Sequence, residues 1–309
     1  MKRTLTLLLL VGISVACFAQ KSLLRLNLSR DSTYYLNHHV SMTIEQTIQG
    51  HKQVVSSIIK AKISHKVISI KDTIYELDVR YESFAMTLVV GDKTLMDASS
   101  DDNDKQDIFS KLMSGILNKP ISVFISNSGK VLNIKHSEDF YSGIFDKFPQ
   151  ISEAQKARFI KQMEDNFGDN ALKSSYQEAF AMYPVNAIGV NDKWIATTTL
   201  NSVIVATIKT NYIMQAPTDK NFVIHGDATI QKTGPDTDYK EVNGIPIKVE
   251  NIAGVSSADY KVNKKTGWID YARVSKDVKA DMDVKDNPKL PGGGIIPIAV
   301  NIAFTMSSK

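Results

Sequence analysis

Cysteine is almost absent: Cys17 stands alone among 309 residues. A disulfide framework within the chain and any cysteine-built zinc site are thereby excluded. Charge of one sign is equally scarce, with 37 Lys and Arg against 33 Asp and Glu and a formal net charge of +4. No dense basic cluster occurs, so the electrostatic footprint of a nucleic-acid binder is missing. The one notable apolar run, residues 5–15, is too short to cross a bilayer comfortably. Catalytic signatures are lacking as well: there is no Gly-x-Ser-x-Gly elbow, His-Glu-x-x-His helix or phosphate-binding glycine–lysine loop. Nothing in the sequence calls for a cofactor or a metal, and no enzyme class is indicated.

What is present is a folded chain with an export signature. Apolar side chains make up 43% of the sequence, too many for disorder. Lys2 and Arg3 precede the apolar run, and the small residues Cys17 and Ala19 lie three and one positions before a cut ahead of Gln20. This is the pattern of a secretory signal peptide over residues 1–19, leaving a cysteine-free mature chain in the periplasm or outside the cell. An outer-membrane lipoprotein acylated on Cys17 is the alternative. Ala16 suits that reading, whereas Ser14 stands where a lipobox carries leucine.

Past residue 30 the dominant period is two. Tyr34, Leu36, His38, Val40, Met42, Ile44, Gln46 and Ile48 alternate with Tyr35, Asn37, His39, Ser41, Thr43, Glu45 and Thr47, giving one apolar and one wet face. Residues 54–70, 73–83, 221–231, 268–284 and 295–306 read as further strands, and Thr198, Leu200, Ile204, Ala206, Ile208, Tyr212 and Met214 as one face of another. Gly91 and Gly129 sit in hairpin turns. Helical spacing appears over 107–118, stopped by Pro120, and across roughly 137–183, where Ser152 and Gln155 form a capping box and Phe159, Ile160, Met163 and Phe167 share a stripe. The pattern predicts an α+β fold, mainly antiparallel β: a curved sheet in two similar halves, 20–135 and 185–309, with the helical segment 136–184 inserted between them. The halves echo each other at 121–134 and 259–273, each hairpin with a turn glycine (Gly129, Gly267), and at 31–34 and 191–194.

Asp31-Ser32-Thr33-Tyr34, Ser128-Gly129-Lys130-Val131 and Thr266-Gly267-Trp268, in an exported chain of this size, resemble a family of uncharacterised secreted β-rich proteins of Gram-negative bacteria, a domain-of-unknown-function family. The resemblance implies an exported β-rich protein and assigns no functional residue.

Candidate chemistry is sparse. His38 and His39 are neighbours on a strand, so they point to opposite faces and cannot share a metal. The acidic run 101–104 lacks the glycine and the final glutamate of a calcium loop and reads as a solvated cap. Asp281 and Asp283 alternate with Lys279 and Lys285, as on an ordinary charged sheet face. The long apolar side chains Met42, Leu112, Met113, Ile116, Phe159 and Met163 are the candidate ligand-binding residues, lining a pocket between sheet and helices for an apolar small molecule or lipid. The expectation is a non-enzymatic carrier in the envelope. The alternative is a structural protein that meets an envelope partner and whose groove is filled by its own side chains.

Overall fold

A sheet with one wet face needs alternation along every strand, and the computed structural model builds one from almost every alternating segment. It describes residues 21–309 except 102–106, 147, 202–204, 235–237, 243 and 289. The signal-peptide reading, with its cleavage site and Cys17, and most of the acidic run lie outside the described residues. The strands are β1 (Thr33–Ile48), β2 (His51–Lys71), β3 (Ile74–Val90), β4 (Lys93–Ser99), β5 (Ile121–Ser126), β6 (Val131–Lys135), β7 (Lys193–Asn201), β8 (Val205–Met214), β9 (Asn221–Lys232), β10 (Lys240–Val242), β11 (Ile245–Asn263), β12 (Ile269–Val284) and β13 (Gly294–Ser307). All thirteen belong to one antiparallel sheet, ordered β6-β5-β3-β2-β1-β13-β12-β11-β9-β8-β7, with β4 added to β3 and β10 to β11. The pairing of β1 with β13, from Asn37 opposite Ser307 to Gln46 opposite Ile298, joins the two predicted halves.

The connection between β6 and β7 holds the helices: a short 3-10 turn (Glu138–Phe140), α2 (Glu153–Phe167) and α3 (Asp169–Ala179). α1 (Ile108–Ile116) lies earlier, between β4 and β5, with Asp107 capping it by accepting from the Ser110 amide at 2.9 Å. The predicted Ser152–Gln155 capping box starts α2. Because β6 and β7 are the sheet's two edges, and α3 packs on both of them, the sheet curls until the helix fills the gap between its edges. α2 packs on α3, and α1 on β3 and β4. Ile160, expected on the apolar stripe of α2, is exposed.

Both turn glycines stand at the same end of the sheet, with positive φ (Gly129 +78°, Gly267 +68°). The segment 22–28 threads between them: the Leu26 amide donates to the Asn127 carbonyl at 2.7 Å and the Asn27 amide to the Thr266 carbonyl at 2.8 Å. Leu24, Leu26 and Leu28 are buried beneath it. Asp31 (φ +63°) and Asn191 (φ +66°) both turn left-handed just ahead of β1 and β7, where the sequence echo placed them; aspartate and asparagine tolerate that conformation better than most residues.

Three strand boundaries depart from the sequence reading. Residues 198–214 form two paired strands instead of one. Leu200 lies opposite Ala206, so even-numbered residues face the same way in β7 and β8 and the alternation reads through the connection. β3 continues to Val90 because a bulge beside Glu82 shifts the pairing between Lys62/Ser83 and Ile63/Tyr81, which puts both Tyr81 and Phe84 on the inner face. β11 extends back to Ile245; its own bulge at Glu250 and the small residues Gly254, Ser256 and Ser257 erase the apolar rhythm there.

Candidate functional site

The inner face of the curled sheet carries the apolar side chains, and its two ends are buried differently. At the helix end, the main core gathers Leu77, Val123, Ile125, Phe140, Phe180 and Trp268 from strands and helices of both halves. Trp268 is its hub, with ring centroids of Tyr34, His65 and Phe180 at 5.3, 5.1 and 5.6 Å and its indole N–H donating to the Tyr35 carbonyl at 3.2 Å. At the opposite end, Ile208, Ile230, Val249, Ile252, Ile296 and Ile298 form a second, separate cluster with Leu290.

Between these cores runs a strip that belongs to neither. Registers place Met42 opposite Ser57 and Ile302, Ser57 opposite Leu88, and Ile44 opposite Val55 and Val300, all on the inner face by parity. Val40, Met42, Ile44, Val55, Leu88 and Ile302 are half-buried and outside both clusters. A contiguous apolar strip inside a curved sheet, left incompletely covered, is a surface that can take an apolar ligand.

Few polar groups face inward, and they are unusual. His65 on β2 is 1% exposed; its Nε2 pairs with the Tyr176 hydroxyl of α3 at 2.9 Å, and burial lowers its pKa to about 3. His38 on β1 stands edge-on to Phe304 at 5.3 Å, and burial lowers its pKa to about 4. Both rings are therefore neutral at pH 7. His38 Nε2, His65 Nδ1, the Ser57 hydroxyl and the Trp194 indole nitrogen are buried without a hydrogen-bond partner among the described residues. Lys276 on β12 lies opposite Ile302 and Ser256 and pairs with Glu178 of α3. Sequence reasoning overlooked it, although its signal was legible: Lys276 breaks the series Ala272, Val274, Val278, Ala280, Met282.

Of the six residues expected to line a pocket, Met42 stands in the strip. Leu112, Met113, Ile116 and Met163 are buried in the main core, and Phe159 packs against it. Open surface depressions of about 290 to 680 Å³ lie elsewhere among the described residues. The largest is lined mainly by polar side chains, among them Glu138, Lys161, Glu164, Asp165 and Asp169.

On β1 and β12 the outer face is wet. Thr33, Asn37, His39, Ser41 and Thr43 on β1, and Arg273, Asp277, Lys279, Asp281 and Asp283 on β12 point outward. Asp281 accepts from the Asn251 side-chain amide at 3.0 Å and Asp283 from the Tyr239 hydroxyl, so both carboxylates have partners within the fold. On these two strands the outward side is mainly polar, where a transmembrane barrel carries an apolar band; on other strands Ile58, Ile195, Val255 and Ile295 are exposed.

A family model described as a family of unknown function (DUF6263) matches residues 72–269. No functionally curated protein matches the sequence. Among solved structures, the chain is similar to an outer membrane channel of Pseudomonas putida F1, at 9% identity, covering 90% of this chain and 97% of that one with a TM-score of 0.25. It is also similar to OmpT, an outer membrane protein of Vibrio cholerae, at 9% identity, 85% and 68% coverage and a TM-score of 0.19. Salmonella typhi OmpF follows at 6% identity, 91% and 99% coverage and a TM-score of 0.22.

Proposed function

We propose, for a chain that belongs to a family of unknown function (DUF6263), that it is a non-enzymatic carrier of an apolar or lipid-like ligand, exported to the cell envelope. The observation that carries this reading is the half-buried strip of Val40, Met42, Ile44, Val55, Leu88 and Ile302, which belongs to neither core. A protein whose interior were completed by its own side chains would cover that strip, as α1 and α3 cover the helix end. The strip is narrow, flexible at Met42, and faces inward, so a long alkyl chain fits it better than a flat partner surface.

The test is the binding of N-phenyl-1-naphthylamine, a neutral apolar fluorophore, together with native mass spectrometry of the protein isolated from its own host. Met42→Gln should weaken fluorophore binding with a stability loss below about 1.5 kcal/mol, because the residue is half-buried and the substitution nearly conserves its volume. Met113→Trp, overpacking the main core, should instead cost on the order of 1–3 kcal/mol in a denaturant titration. Absence of fluorophore binding and of any co-purifying lipid would replace the carrier by the structural, envelope-interacting reading. Export is part of the same proposal: the intact mass of the host-made protein should correspond to a chain starting at Gln20, whereas a lipid adduct on Cys17 would make it a lipoprotein.

A further inference from the structure

Among the described inner-face positions of β1, β2, β3, β12 and β13, Lys276 is the one lysine, arginine or carboxylate. It stands across β13 from Met42, since both residues pair with Ile302, and so borders the apolar strip. Val274 and Val278 flank it on its own strand, and its side chain is 16% exposed. Its charge is answered by a carboxylate that is not part of the sheet: Glu178, in the last turn of α3, with its side chain 27% exposed. Glu178 also lies close enough to the buried phenols of Tyr212 and Tyr260 to help burial raise their pKa values, so it reaches over the inner face of the second half. Placing two charges here costs desolvation that a leucine at position 276 would avoid, and a buried pair seldom repays that cost in stability. A lysine whose partner belongs to a separate element, at the border of a half-buried apolar strip, is what recognition of a charged head group requires.

We propose that Lys276 is the head-group site for a fatty acid, with Glu178 occupying it as an internal carboxylate when no ligand is bound. The alkyl chain lies along the strip beside Met42 and Ile302, and its carboxylate takes the place of the Glu178 carboxylate on the Lys276 ammonium. The choice of a carboxylate follows from the group that already fits there. The inference rests on the carrier reading and names its ligand class. It also gives α3 a second state, since loading frees the helix from one of its polar ties to the sheet, while those of Tyr176 to His65 and of Lys173 to the Leu132 carbonyl remain.

The test is displacement of N-phenyl-1-naphthylamine by dodecanoate, dodecanol and dodecyltrimethylammonium. In the wild type dodecanoate should displace at a concentration about tenfold below dodecanol, the worth of one charge-assisted hydrogen bond, and the cation should be weakest. Lys276→Gln should erase the preference for dodecanoate while dodecanol binding persists. Glu178→Gln should strengthen dodecanoate and leave dodecanol unchanged. A second readout, independent of variants that fold poorly, is the titration of carboxyl-labelled dodecanoate by NMR. On Lys276 its pKa should lie below the ordinary carboxylate range, whereas burial against apolar side chains alone would raise it. If fluorophore and dodecanol bind but dodecanoate shows no preference, or if Glu178→Gln weakens dodecanoate, the pair is a strut that positions α3 and the inference falls while the carrier reading stands. If none of the probes binds, the carrier reading falls as well.

Discussion

Gly267→Ala should destabilise the protein by on the order of 3–5 kcal/mol, among the largest effects open to a single methyl group. Two causes add. The backbone at Gly267 has φ +68°, a conformation that costs an L-residue about 1 kcal/mol. The added Cβ would stand 2.0 Å from the Arg25 carbonyl oxygen and 2.9 Å from the Leu26 Cα, backbone atoms that cannot rotate away. Relief requires lifting the 22–28 segment. That breaks its bond from the Asn27 amide to Thr266, and the Tyr183 hydroxyl loses its acceptor, the Gly267 carbonyl itself, if the turn moves. Gly91→Ala is the matched control: φ is +57° and nothing lies within 4 Å of its Cβ, so only the conformational cost of about 1 kcal/mol remains. Urea unfolding of both variants checks the contrast; equal losses would mean that the segment across the hairpin turns yields freely.

The second large effect is acid lability set by the inward histidines. The His65 pKa is lowered to about 3 by burial and, secondarily, by the nearby His38, against an ordinary value of 6.5. The unfolded chain therefore binds protons that the folded chain refuses as pH falls below 6.5, and stability drops throughout that window. By pH 4 the loss attributable to His65 is on the order of 3 kcal/mol, and His38, lowered to about 4, acts in the same direction. Unfolding midpoints at pH 7 and pH 4 should diverge strongly in the wild type. In His65→Leu the pH 7 midpoint should fall, since the Tyr176 hydroxyl loses its partner, while the difference between the two pH values shrinks. Parallel curves for both proteins would remove His65 as the cause. His225, on the outer face between Asp259 at 2.8 Å and Asp227 at 3.2 Å, works with the opposite sign. The Asp259 hydrogen bond raises its pKa, so its contribution is present below pH 6.5 and lost as pH climbs through the raised value. Solvent access keeps that contribution small.

How much of this could be read from the sequence follows from what each strand has to pack against. β1, β2, β12 and β13 lie in the middle of the sheet; β1 and β12 have one wet face and a clean period of two, β2 showed as a run rich in β-branched residues, and the extents of all four were legible within a few residues. β11 was legible only near its end, because a bulge shifts its parity and Gly254, Ser256 and Ser257 put little apolar surface on either face. The break between β7 and β8 was invisible for the opposite reason: the parity of β7 carries on into β8. The half-buried apolar strip was hardest. Met42 was singled out for its length and flexibility. Leu112, Met113, Ile116 and Met163 have the same composition and are packed away by helices whose docking surface no local pattern specifies. Lys276 was visible as a break in an alternation, but its meaning depends on Glu178, 98 positions earlier in the chain, and pairing over that separation has no sequence signature.

The seam between β1 and β13 also sets the order in which the molecule can be completed. Residues 37–46 pair on one side with β2, a hairpin that closes locally, and on the other with 298–307. During vectorial synthesis these ten residues of β1 thus remain an unpaired sheet edge until β13 emerges. Non-local closures of this kind are slow, because the entropy of a long loop is lost before the contacts compensate for it. Until then the half-built sheet exposes both its apolar inner face and a strand edge, the surfaces that most readily join another copy. The final strand is therefore the closing seam of the sheet, and the tolerance of this chain to C-terminal shortening is set by the ladder it carries to residue 37.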